Sequence, residues 1–212
     1  MTWKEKTAKF NARSVEDRLK YLNSLNEAER AKFIEGIRTQ AVKDFWTHEQ
    51  SLLREGKSTR NWTPEQIEQI MNISDKTGIS SINGDKAIDL NGKSYYGHHM
   101  LDVAEHPEYA GDWRNIEALD YDEHYNGAHN GNTKTPTESY YDPVHNENIE
   151  IDKSMFETGA DVKTGDGYIP VDKSIFKSDD EIKAIYPDFG DMSDGESLAH
   201  NHPSLANASL PA

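Results

Sequence analysis

The chain contains no cysteine. That excludes disulfide staples, cysteine-based zinc sites and thiol nucleophiles together. It also leaves the protein able to fold in reducing or oxidising surroundings. No apolar run approaches the roughly 20 residues that a membrane-spanning helix needs. The first residues, Met1-Thr2-Trp3-Lys4-Glu5-Lys6, lack the apolar stretch of a secretory signal, so export would need a dedicated apparatus. Apolar residues are sparse as well. They make up 34% of 212 residues, 29% are charged, and the mean hydropathy is −0.89. Such a composition predicts one modest core. Positive charge is the last shortage: 23 Lys+Arg face 38 Asp+Glu, a net of −15. A nucleic-acid enzyme wants a basic surface. The deficit is uneven, however. Residues 1–60 hold 13 basic and 9 acidic side chains, residues 61–140 hold 5 and 14, and residues 141–212 hold 5 and 15. The N-terminal region could therefore supply phosphate contacts, while the acidity belongs to the middle and the tail.

Local patterns divide the chain into four regions. Residues 1–60 form a net-basic helical region, 61–142 the chemical core, 143–187 an acidic extension and 188–212 a disordered tail. Helix is read over 14–55, with Ser14/Asp17 and Asn26/Glu29 as capping boxes. Phe33, Ile34, Ile37, Ala41, Val42, Phe45 and Leu52 recur there at helical spacing. Glu35, Arg38, Lys43 and Asp44 fall on the opposite, solvated face. Trp46 and Trp62 read as core residues. Thr63-Pro64-Glu65-Gln66 starts a further helix, and Gly78 ends that helix or the turn after it. The period then changes. Ala87–Leu90, a turn at Asn91-Gly92-Lys93, and Ser94–Tyr96 read as a β-hairpin. Residues 100–114 read as a long loop and Asn115–Leu119 as a short strand. A helix follows, capped by Asp120 or Asp122. In the extension, Ile149–Phe156 nearly repeats as Ile169–Phe176, which suggests two similar strand-turn units. The stretch from Asp188 to Ala212 has the composition of a disordered segment.

The chemistry concentrates in the histidines. His98 and His99 follow the hairpin, then comes Asn115, then His124 and His129. Cleaving a phosphodiester takes an activated water, neutralised phosphate charge and help for the leaving oxygen. One divalent metal with a neutral histidine can supply all three. Neighbours on a regular strand point to opposite sides. One of His98 and His99 can therefore hold a metal while the other faces the phosphate. His106 reads as positional, Asp102 and Glu105 as solvated loop acids, and His145, His200 and His202 receive no role.

Tyr96-Gly97-His98-His99, Val103, Glu105-His106-Pro107-Glu108, Ala110-Gly111-Asp112, Asn115-Ile116, Glu123-His124, Ala128-His129, Gly131-Asn132 and Pro136-Thr137 together carry a resemblance. So do Trp46, Glu49, Gly56, Thr59 and Asn61–Gln66 upstream. Over roughly residues 42–142 the chain resembles the GHH-signature branch of the HNH/endonuclease VII (His-Me finger) superfamily, a toxin module of bacterial polymorphic toxins. The resemblance implies an α+β fold built on a ββα-metal nuclease core, with one divalent ion (Mg, Mn or Zn). It implies His98 as a metal ligand, His99 as the general base and Asn115 as the residue that stabilises the loop. His124 and His129 would be the helix histidines, at least one of them a ligand. Many members space those two four apart; here they are five apart. In an α-helix that spacing separates the side chains by roughly 140°. Either the helix breaks at Gly127 or only one is a ligand. His129, in its Ala-His-x-Gly-Asn context, is then preferred, with His124 the alternative.

The expected function is a metal-dependent DNA endonuclease acting as an antibacterial effector. Its implied partners are DNA, a cognate immunity protein and a secretion or delivery component, with no membrane. It would be bacterial, exported without a signal peptide, and active in the target-cell cytoplasm, as a small cargo effector or a cut-out toxin module. The alternatives are a phage or repair DNA-processing nuclease, and a catalytically silent, metal-stabilised binding protein. A further expectation is that residues 141–212 imitate DNA charge and cover the basic N-terminal region.

Overall fold

The structure is a computed structural model that describes residues 1–73, 79–82, 85–158 and 167–172. Its elements run α1 (Trp3–Asn11), α2 (Val15–Ser24), α3 (Glu27–Glu55), β1 (Lys57–Ser58), α4 (Pro64–Met71), β2 (Ile79–Ile82), β3 (Asp85–Leu90), β4 (Lys93–His99) and β5 (Ile116–Asp120). A π-helical turn (Glu123–Ala128) follows, then β6 (Ser139–Asp142), β7 (Glu147–Glu150) and β8 (Ile169–Pro170). The architecture is α+β: four antiparallel strands in the order β2-β3-β4-β5, with two small two-stranded pairs, β6-β7 and β1-β8.

The helices begin where side chains cap them. Asn26 accepts from the Glu29 amide while Glu29 reaches back to the Asn26 amide, and Thr63 with Gln66 does the same for α4. Ser14 accepts from the Asp17 amide. The expected helical span of 14–55 is thus two helices, because the Asn26 cap forces a break after Ser24. α1 lies inside the region 1–60 read as helical but ahead of the 14–55 span, and Thr2 and Glu5 form its capping box. Gly56, left-handed at φ 80°, stops α3. At 29 residues, α3 is about 44 Å long.

That length lets α3 serve two clusters. Its first half packs Ile37 with Phe10, Leu22 and Ala110. Its second half places Ala41, Val42, Phe45, Trp46 and Leu53 against Ile67 and Ile70 of α4 and against Ile88, Tyr95, Ile116 and Ala118 of the sheet. Trp46 and Trp62 are both buried there, as expected. A carboxylate is buried beside them. Glu49 is 0% exposed, and its oxygens accept from Trp62 Nε1 at 2.6 Å and the Thr59 amide at 3.0 Å. A buried carboxylate is costly unless hydrogen-bonded, and these bonds tie the segment after β1 back onto α3.

The β3-β4 hairpin turns at Asn91 (φ 56°) and Gly92 (φ 77°), the paired left-handed residues of a type I′ turn. β4 remains regular through both histidines: His98 is paired with Glu117 and His99 with Ile116. Alternation then sends Tyr95, Gly97 and His99 to one face and Tyr96 and His98 to the other. Gly97 is required on the first face. A Cβ there would sit 2.7 Å from both Val42 methyls, so its absence lets α3 lie against β4.

The β6-β7 hairpin was not anticipated, since its periodicity is weak. The first near-repeat, Ile149–Phe156, spans the end of β7 and a 3-10 turn at Lys153–Phe156. The second begins as β8, and its residues 173–176 lie outside the described residues, as do Gly78, the tail 188–212, His200 and His202.

Candidate metal centre and its cleft

Three imidazoles meet behind β4. Ligand atoms of His98, His124 and His129 all lie within 4.8 Å of one another, and all three residues are buried. Ring centroids are 5.0 Å apart for His98–His124, 5.0 Å for His98–His129 and 4.9 Å for His124–His129. The convergence corrects the expected divergence of the two helix histidines. The helix neither breaks at Gly127 nor stays α-helical. It opens into a π turn, in which the His129 amide donates to the His124 carbonyl at 3.2 Å. Bonding to the fifth preceding residue returns the chain to the same face after five residues. Asp120 begins this segment: its carboxylate accepts from the Glu123 amide at 3.0 Å, and Glu123 accepts from the Asp120 amide at 2.9 Å. Arg60 clamps Glu123 through two bonds of 2.8 and 2.9 Å. Tyr96 stacks on His124 at 5.3 Å.

The donor set suits a divalent cation. His98 Nε2 is buried without a hydrogen-bond partner among the described residues; the carboxylate of Glu117, opposite it on β5, comes only to 4.0 Å. An orphaned imidazole nitrogen in such a place has a use as a ligand. Burial first, then the neighbouring His124 and His129, hold the His98 pKa well below its ordinary value. His98 is therefore the neutral imidazole that a metal requires. His129 Nδ1 lies 3.3 Å from the Thr135 carbonyl; a carbonyl only accepts, so Nδ1 carries the hydrogen and Nε2 keeps a lone pair. Three imidazole donors fit zinc and the other transition ions. Asp142, His145 and Glu147 also group within 4.8 Å. His145 Nδ1 is already bonded to Asp142 at 2.7 Å, and His145 is 60% exposed.

His99 does not join the cluster. It turns to the opposite face of β4, where its Nε2 donates to the Ala110 carbonyl at 3.1 Å. Nδ1 keeps the lone pair in that tautomer. Burial first, then the positive charge of Arg38, push the His99 pKa down to about 3; the Ala110 bond opposes them. Asn115 is 0% exposed. Its side chain accepts from the Leu101 amide at 2.8 Å and donates to the Leu101 carbonyl at 3.0 Å. The Met100 amide donates to its backbone carbonyl at 2.9 Å. Asn115 thus closes the 101–114 loop, which carries Ala110, at both ends.

A cleft of about 510 Å³ opens onto all four histidines. Asp102 lines it, and its carboxylate accepts from the Ala104 amide. Glu105 is exposed. His106 binds Glu108 and Glu138 rather than the cluster. The other wall contains Arg30, Ile34 and Arg38 of α3. Sequence reasoning placed Arg38 on a solvated face; it missed Arg30 and Arg38 here because charge on a helix reads as exposure. The signal was the i, i+4, i+8 series Arg30, Ile34 and Arg38, which shares one helical stripe.

The fold and site define an α+β protein with a three-histidine cluster beside a fourth, separately oriented histidine. Residues 28–79 match the model of the family described as GHH signature containing HNH/Endo VII superfamily nuclease toxin. This is the family that the sequence resembles, and nucleases of this superfamily use a divalent metal. The match starts earlier than the resemblance at 42, taking in most of α3, and it ends before Gly97-His98-His99. Comparisons with curated proteins and with solved structures found no match. No helix among the described residues is long and apolar enough to cross a membrane.

Proposed function

We propose that the protein is a metal-dependent DNA endonuclease of the His-Me finger type, used as an antibacterial toxin. β4, β5 and the π turn form its ββα-metal core. The observation that carries this reading is the buried convergence of His98, His124 and His129 beside a His99 oriented by a backbone carbonyl. His98, His124 and His129 would hold one divalent ion. When bound, such an ion neutralises phosphate charge and stabilises the leaving oxygen.

The chain's own residues do the rest. Ala110 fixes the His99 tautomer, and His99 accepts a proton from water at Nδ1. Its low pKa keeps it neutral, which is the form a base needs. A phosphate anion entering the cleft offsets Arg38 and raises its basicity. Asn115 holds the loop that carries Ala110, so it positions the base without touching substrate. The expected partners are DNA, an immunity protein and a delivery component; action in the cytoplasm of a target bacterium completes the reading. Plasmid incubated with the protein and magnesium, manganese or zinc should be nicked and linearised. Plasmid left intact under every metal removes the enzyme reading and favours a metal-stabilised binding protein. Toxicity on cytoplasmic expression, relieved by His99→Ala, separates a toxin from a repair or phage nuclease.

A further inference from the structure

We propose that α3 is the phosphate-gripping wall of the cleft, with Arg38 on the phosphate being cut and Arg30 on a neighbouring phosphate of the same strand. This rests on the nuclease reading and names the residues that would bind its polyanionic substrate.

The argument begins with register. Arg30, Ile34, Arg38 and Val42 are spaced by four and share one stripe of α3. Val42 is locked against Gly97 of β4, where a side chain would collide. That contact fixes where the rest of the stripe falls. One turn before Val42, Arg38 comes beside His99, two residues along the strand from Gly97. Two turns further back, about 12 Å along the axis, lies Arg30. Both arginines line the cleft that contains all four histidines.

Charge and chemistry agree with the register. Arg30 and Arg38 are the cationic side chains among the residues lining the cleft, and Asp102 is the acid among them. A chain of net charge −15 has to place positive charge locally to receive a phosphodiester strand. Guanidinium forks match phosphate oxygens in pairs. Both residues are partly exposed and line the cleft; Asn23 accepts from Arg30 at 3.3 Å and Glu35 lies 3.7 Å from Arg38, contacts near the surface that a phosphate can compete with. The backbone positions of the two arginines are about 12 Å apart along the helix, a separation that lets each take its own phosphate along the strand.

The test uses a fluorescein-labelled DNA duplex and the full chain. Affinity is titrated against salt in EDTA, and cleavage is measured with metal. Arg30→Ala and Arg38→Ala should each weaken binding about tenfold at low salt and reduce the salt slope by about one. Arg38→Ala should also lower kcat by about 100-fold, with partial recovery in Arg38→Lys. Arg30→Ala should act mainly on KM. Lys20→Ala, on exposed α2 and paired with Glu16, should leave the slope as it is. If the wild type binds and cuts DNA but both arginine variants keep its slope and kinetics, the clamp is overturned and the nuclease reading stands. If the wild type neither binds nor cuts, both fall.

Discussion

His98 Nε2, His99 Nε2 and the Asn115 side chain are three buried polar groups with three different fates. The first has no hydrogen-bond partner among the described residues, the second donates to Ala110, and the third bonds both backbone groups of Leu101. Burial makes each costly to leave unsatisfied, so each residue's role follows from how its atoms are satisfied. An orphan at His98 is stable when a cation completes it. His98→Ala should therefore lower metal affinity by at least about 100-fold, read by calorimetric titration with zinc or manganese, and should abolish any rise in Tm on adding metal. Equal metal affinity in wild type and His98→Ala would remove it from the ligand set. Asn115→Ala leaves the Leu101 amide and carbonyl unpaired inside the protein. It should cost about 2–4 kcal/mol in a urea unfolding series and lower cleavage through the displaced loop; a loss below about 0.5 kcal/mol would deny the loop-closing role.

At the scale of elements, what the sequence made legible was local chemistry. Asn91-Gly92 specified the hairpin turn, Asn26/Glu29 and Thr63/Gln66 specified helix starts, and alternation through His98-His99 specified opposite faces. Those signals act within a few residues. What stayed hidden depends on partners distant in sequence or on rarer geometry. The π turn was hidden because a spacing of five is read against the α-helical period. Arg38 was hidden because the contact that aims it is Val42 against Gly97. The β6-β7 hairpin has little apolar alternation and is held partly by the Tyr141 amide donating to Glu117 at 3.1 Å. The α3–β4 contact gives a direct prediction. Gly97→Ala should destabilise the protein by about 1–3 kcal/mol by overpacking. Adding Val42→Ala should restore part of that, seen as a favourable coupling in a double-mutant cycle. Simple additivity would mean that α3 does not depend on Gly97 for its approach.

Across the whole molecule, the charge partition is the feature that sequence showed most clearly. The basic N-terminal region does reach the cleft, through Arg30 and Arg38. Residues 173–212 hold 3 basic and 7 acidic side chains. Removing them should raise DNA affinity at low salt, with the gain fading above about 0.5 M salt as screening shortens the reach of charge; unchanged affinity would argue against a DNA-imitating role. The central claim is that His99 is the base and the other three histidines the metal holders. It is tested most directly by comparing plasmid cleavage and metal affinity in wild type and His99→Ala. The account expects His99→Ala to bind metal as tightly as wild type while cleaving at least about 1,000-fold more slowly. Cleavage at the wild-type rate, or loss of metal binding together with activity, would contradict it.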